Sequence, residues 1–264
     1  MPEGDTVFLA GRRLDEALAG RTLLRAELRH PRLATVDLAG RDVLGVVTVG
    51  KHILTRFSGD LSLHSHLRMD GSWHLYRPGD RWRRPGHQAR VLLEVPDRVA
   101  VGFALHDLEL VPTGEEARLV GHLGPDLLGP WTAEDEAEAV VRLTADPERE
   151  IGLALLDQRV MAGVGNVYKS EVCFLLGASP WTPVSGVDGA RAVRLARKLL
   201  LTNAHRPNRN TTGLIGRGQE SWVYGRAGKP CRRCGTRVRV DMQGPDAQER
   251  SSYWCPRCQP GPIA

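Results

Sequence analysis

The chain has 264 residues, of which 41% are apolar and 25% charged, so it can build one large core or two ordinary ones and is not disordered as a whole. No stretch approaches the roughly 18 apolar residues that a membrane-spanning helix needs, and the acidic start MPEGDT lacks the pattern of a signal peptide, so a soluble protein of the cytoplasm is expected, with no membrane partner. The formal net charge of +5 permits a polyanionic partner without requiring one.

Charge is unevenly spread along the chain. Residues 1–100 are net +4, residues 101–150 net −9 and residues 151–264 net +10. Two basic regions joined by an acidic connection suit a nucleic acid, although an ordinary solvated surface explains the pattern as readily. Only four of the 36 basic residues are lysine (Lys51, Lys169, Lys198 and Lys229), a bias that a GC-rich genome produces as easily as a need for phosphate contacts.

In chain order, Thr6 to Gly20 reads as a helix. Val7, Ala10, Leu14 and Ala17 recur at helical spacing, Asp5 or Thr6 offers a cap, and Gly20 a stop. From residue 22 to about 112, short alternating runs such as VLGVVTV, KHILTRF, LSLHSHL and RVLLEV are separated by turn residues, for example Ser58-Gly59-Asp60. Seven or eight such strands predict a β-sandwich or barrel. Residues 113–132 resemble a linker. Helices are then predicted over Thr132–Leu143, Ile151–Gln158, Val167–Leu176 and Gly189–Asn203, the first opened by a capping box of Thr132 with Asp135.

Three motifs carry chemistry. Cys231-x2-Cys234 and Cys255-x2-Cys258 are separated by twenty residues, which suits one structural zinc ion with four thiolate ligands and no open position. Two disulfides are the alternative, disfavoured because nothing indicates secretion. The intervening GTRVRVDMQGPDAQERSSYW reads as a hairpin with Arg250 at its tip, or as a solvated basic loop, and Cys173 as a buried small hydrophobe. The run LLDQRVMAGVGNVYKSE places Gly163 and Gly165 between two helices, with Asn166 capping the second, a turn that suits phosphate or plain helix packing. In Met1-Pro2-Glu3-Gly4, removal of Met1 would expose the secondary amine of Pro2, whose pKa of about 8 leaves much of it nucleophilic near neutrality, although most Met-Pro starts are incidental.

Together MPEG, LLDQRVMAGVGNVYKSE, VYGRAGKPC and RSSYWCPRCQ resemble the formamidopyrimidine-DNA glycosylase/endonuclease VIII family, in the family's order and over nearly the whole chain. MPEGDT and HLRMDGSW are closer to its actinobacterial endonuclease VIII branch. The resemblance implies an α+β multidomain fold: an N-terminal β-sandwich with flanking helices (residues 1–118), a linker (119–131), a helix-two-turn-helix domain (132–218) and a zinc finger (219–264). It implies a monomer acting on damaged double-stranded DNA in the bacterial nucleoid, with the DNA in a basic cleft and the damaged base flipped out. It further implies Pro2 as nucleophile, Glu3 as acid/base group, and Lys51 near the lesion phosphate. Asn166 and Arg250 would hold phosphates, Met69 would enter the vacated stack beside Arg68, and no catalytic metal is expected.

Thr6 stands where many relatives carry an acid, and Glu171 is read as structural. The stretch TGLIGRGQESWVY over 212–224 is short for a lesion-recognition loop of the formamidopyrimidine type, which weakens 8-oxoguanine specificity, and the resemblance implies a bifunctional glycosylase and abasic-site lyase for oxidised pyrimidines. An oxidised-purine glycosylase of the same family and an inactive binder of lesion DNA are the rival readings.

Overall fold

The computed structural model describes residues 2–262, which divide into two compact units, Met1–His122 and Leu123–Ala264.

The first unit opens with α1 (Gly4–Leu18), followed by β1 (Arg21–Thr22), β2 (Arg25–Leu28), β3 (Asp42–Val49), β4 (His52–Phe57), β5 (Leu61–His66), β6 (Ser72–Tyr76), β7 (Ala89–Val95), β8 (Arg98–Phe103) and β9 (Asp107–Pro112). The strands form two antiparallel sheets, β1-β3-β4-β5-β9 and β2-β7-β8-β6. Their alternating apolar residues face inward and meet α1: Val7, Leu14 and Leu18 of the helix share one core with Val43, Ile53, Phe57, Leu63, Val91 and Leu93. The sandwich predicted from the alternation is therefore present.

α1 begins earlier than its periodicity predicted. Glu3, in extended conformation, is the N-cap, and neither Asp5 nor Thr6 holds that position. Gly20 ends the segment as expected, with a left-handed φ of +72°. Two contacts fix how α1 lies on β3: the Val46 N–H donates to Asp15 Oδ1 at 2.7 Å, and a Cβ on Gly11 would overlap the Thr48 methyl. Four helical residues rise about 6 Å and two strand residues about 6.6 Å, so the two elements keep step.

The second unit contains α3 (Ala133–Thr144), α4 (Ile151–Leu156), α5 (Asn166–Leu176), α6 (Gly189–Asn203) and the hairpin of β10 (Arg239–Gln243) with β11 (Arg250–Trp254); a short α2 (Ala117–Val120) lies at the end of the first unit. The capping box of Thr132 and Asp135 forms as read, and α6 occupies the predicted span. α4 stops at Leu156, short of Gln158, because Asp157 turns the chain: its backbone is extended and its carboxylate accepts from the Arg159 N–H at 2.9 Å. α5 is buried continuously from Asn166 to Phe174 and forms the axis on which α4, α6 and β11 pack.

Candidate functional site

The N-terminal residues predicted to carry chemistry lie at the head of α1 and in the β3–β4 turn. Pro2 is half-buried and Glu3 fully buried at the head of α1. Lys51 occupies the two-residue turn that closes the β3–β4 hairpin, with Gly50 at φ +58° supplying the left-handed position such a turn requires.

Next to Lys51 the sheet carries a row of histidines that sequence reasoning missed. His52 Nδ1 lies 2.9 Å from His64 Nε2, and the His66 and His122 rings stand 5.0 and 6.4 Å from that of His52. Burial, then the neighbouring cationic groups, pushes His52 down to about 3 and His66 to about 4, so both are neutral at physiological pH. The signal was the spacing: His64-x-His66 in a strand points two imidazoles to one face.

Residues 67–71 form an arch between β5 and β6. Arg68 takes a left-handed backbone (φ +50°) and its side chain pairs with Asp107. The Gly71 N–H closes the turn onto the Leu67 carbonyl at 2.8 Å, and a Cβ at Gly71 would overlap that oxygen. Arg84 donates to the Asp70 carbonyl at 2.8 Å and to Ser72 Oγ at 2.9 Å. Met69 stands at the crest, 63% exposed, and so is not part of the core.

In the second unit, Gln158 fastens the glycine turn before α5. Its amide donates to the carbonyls of Leu156 and Val164 at 2.8 and 2.9 Å and accepts from the Gly163 N–H at 3.0 Å. The N-cap of α5 is Gly165, not Asn166 as the sequence suggested. Asn166 is the first helical residue, and its amide donates to the Ser251 carbonyl on β11 at 2.7 Å. Arg250 is not at the hairpin tip: it forms the last rung with Gln243, and the tip is the loop 244–249. Its exposed guanidinium donates to the Glu249 carbonyl at 2.9 Å. Asn166 and Arg250 are thus brought to neighbouring positions on α5 and β11.

Glu171 is fully buried. Both carboxylate oxygens accept backbone N–H groups, from Trp222 at 2.8 Å and from Val223 and Tyr224 at 2.9 Å, and the Thr211 hydroxyl also donates. Burial raises this carboxyl against the opposing pull of the four donors. Its role is to hold the segment leading to the first cysteine pair.

The four cysteines of the two pairs lie with all Sγ atoms within 4.8 Å of one another, and no disulfide forms. Cys231 Sγ is 3.9 Å from Cys258 Sγ, and Cys234 Sγ is 3.5 Å from Cys255 Sγ. A tetrahedral shell with metal–sulfur bonds of about 2.3 Å has an edge of about 3.8 Å, so the cluster fits a metal ion and excludes the disulfide alternative. Among the described residues it is the only group of this kind. Cys173 is buried in α5, its thiol pushed up to about 12 by burial.

Comparison with known proteins places this architecture. The formamidopyrimidine-DNA glycosylase N-terminal domain matches residues 1–108, and the H2TH domain of formamidopyrimidine-DNA glycosylase matches residues 123–208. The probable endonuclease 8 2 of Streptomyces coelicolor is 60% identical over the full chain and 95% of its own length. The chain belongs to the formamidopyrimidine-DNA glycosylase/endonuclease 8 family. Its members are DNA-repair glycosylases and abasic-site lyases, and the likeness to actinobacterial endonuclease 8 read from the sequence holds. A DNA-(apurinic or apyrimidinic site) lyase, Nei2, of Mycolicibacterium smegmatis is 49% identical over 98% of this chain and 99% of its own. The fold matches formamidopyrimidine-DNA glycosylase of Lactococcus lactis, solved with abasic-site DNA, with a TM-score of 0.80 at 23% identity over 98% of this chain and all of the other. No helix among the described residues is long and apolar enough to cross a membrane.

Proposed function

We propose that this endonuclease 8 family member excises oxidised pyrimidines from duplex DNA and then cleaves the abasic strand by β,δ-elimination. The observation that carries the reading is the Pro2-Glu3 pair at the head of α1, Glu3 fully buried, with Lys51 in the β3–β4 turn of the same unit. With Met1 removed, the Pro2 amine attacks C1′ of the damaged nucleoside, the base departs with a proton, and an iminium links protein to sugar. The iminium acidifies C2′; loss of that proton expels the 3′ phosphate, and a second elimination expels the 5′ phosphate. Glu3 moves protons on the sugar ring, and burial in the fold fixes its direction. Met1 itself lies outside the described residues.

Lys51, Asn166 and Arg250 neutralise the phosphates flanking the flipped nucleotide, as the resemblance assigns them. Met69, apolar and held outward beside Arg68, fills the space that the base leaves, offsetting part of an unstacking cost of a few kcal/mol. In this reading residues 1–118 supply the chemistry, residues 119–131 connect, and 132–218 with 219–264 hold DNA. The metal is one structural zinc, because four thiolates leave no coordination position for substrate. The protein acts as a monomer in the bacterial cytoplasm, on the nucleoid. Preference for pyrimidines is supported by the short segment 212–224 and by the resemblance of MPEGDT and HLRMDGSW to the endonuclease VIII branch.

Borohydride trapping tests the proposal. Protein lacking Met1 is incubated with duplexes carrying an abasic site, 5-hydroxyuracil or 8-oxoguanine, reduced, and the cross-link mapped by mass spectrometry. A cross-link at Pro2 with the first two substrates, lost in Pro2→Gly, is expected. Trapping chiefly on 8-oxoguanine overturns the pyrimidine preference, and no trapping on any substrate overturns the lyase mechanism.

A further inference from the structure

Lys169 has no place in the chemistry above, yet its side chain is fully buried on the central helix α5. An ammonium in such a position costs several kcal/mol in lost hydration unless its protons are well received, and a Leu or Met would pack there without that cost. Its Nζ donates to Ser252 Oγ at 2.6 Å and lies 3.5 Å from the Ser251 carbonyl. One turn earlier, Asn166 Nδ2 donates to the same Ser251 carbonyl. Residues three apart share a helix face, so α5 grips β11 at the two residues that directly follow Arg250.

The grip extends across the hairpin. The Ser252 hydroxyl donates to Gln243 Oε1 at 2.7 Å, and Gln243 Nε2 donates to Glu150 Oε2 at 2.7 Å and to the Pro180 carbonyl at 2.9 Å. Lysine can only donate, so it fixes the direction of every bond in this chain, from the ammonium through serine and amide to a carboxylate. Gln243 is the residue paired with Arg250 on the last rung. Gly152 of α4 leaves the space: a Cβ there would overlap Gln243 Oε1. The hairpin is therefore anchored at the rung that bears Arg250, at the opposite end from the cysteines.

We propose that Lys169 is a positioning residue which, through Ser252 and Gln243, sets the β10–β11 hairpin so that Arg250 and Asn166 address one stretch of phosphate backbone. This rests on the reading that Arg250 contacts phosphate.

The test is a double-mutant cycle on binding to a duplex with a stable abasic-site analogue, measured over a range of salt concentrations. Arg250→Ala is expected to weaken binding about tenfold and to make the logarithmic salt slope shallower by about one. Lys169→Met should reproduce both changes with bound zinc retained, and in the Arg250→Ala background it should add nothing. Ser252→Ala, which breaks the same chain without changing charge, should show the same non-additivity and decides the matter if Lys169→Met does not fold. An unchanged slope, or losses that add in full, overturns the positioning role. A silent Arg250→Ala overturns the phosphate reading itself, and the inference with it, which is a distinguishable result.

Discussion

Glu171 shows what one side chain does when its partners lie far along the chain. Its carboxylate collects donors from Thr211 and from residues 222–224, forty to fifty-three positions away, and so orders a segment with no regular structure of its own. Glu171→Gln would turn an NH2 group towards backbone N–H groups. The expected result is a loss of about 1–3 kcal/mol in stability, seen as a lower Tm, with zinc content unchanged; a wild-type Tm would show that the segment is held otherwise. Such a role was barely legible in the sequence. A glutamate in a helix next to an apolar run gives no hint of which distant N–H groups it will meet, and the same holds for Lys169 with Ser252. The cysteines were legible because metal-binding geometry is encoded locally, in each two-residue spacing.

At the scale of elements, legibility followed the range of the forces involved. α6 and the Thr132 cap were read correctly because apolar periodicity and a side chain bonding its own helix are local. The start of α1 and the N-cap of α5 were misplaced by one or two residues, since Glu3 and Gly165 are fixed by what the helices pack against rather than by capping chemistry. The hairpin was foreseen, but placing Arg250 at its tip needed the register, which depends on both strands. Five residue pairs alone do not stabilise a two-stranded ribbon in water. Cys234→Ser should reduce bound zinc to near zero. Chelation of the wild type should shift the emission of Trp222, which stacks on Phe174 at 5.3 Å beside the cysteine cluster, while the far-ultraviolet helix signal persists. Zinc retained at one per chain in Cys234→Ser would contradict the four-thiolate assignment.

For the whole molecule, the half-buried His52 and His66 predict how stability depends on pH. His52 and His66 titrate near 6.5 when unfolded but at about 3 and about 4 when folded, so between those values the unfolded chain binds more protons. Their contribution is complete above pH 6.5 and is lost as pH falls towards the folded values. Between pH 7.5 and pH 5, above the range in which most carboxylates titrate, His52 alone should cost about 2 kcal/mol. Thermal unfolding at the two pH values should show a lower Tm at pH 5, with a smaller drop in His52→Gln; equal drops would assign the dependence elsewhere. The general architecture at this scale was legible early, because alternation over ninety residues and helical periodicity afterwards leave few other folds.

The arch that carries Met69 has a thermodynamic consequence. Its backbone is closed by the Gly71–Leu67 bond, braced by Arg84 on one flank and by the Arg68–Asp107 pair on the other. A thioether presented on so stiff a support has little backbone freedom left to surrender when it inserts into another surface. Most of the apolar area it covers is therefore available as binding free energy, and the left-handed strain at Arg68 has already been met by folding.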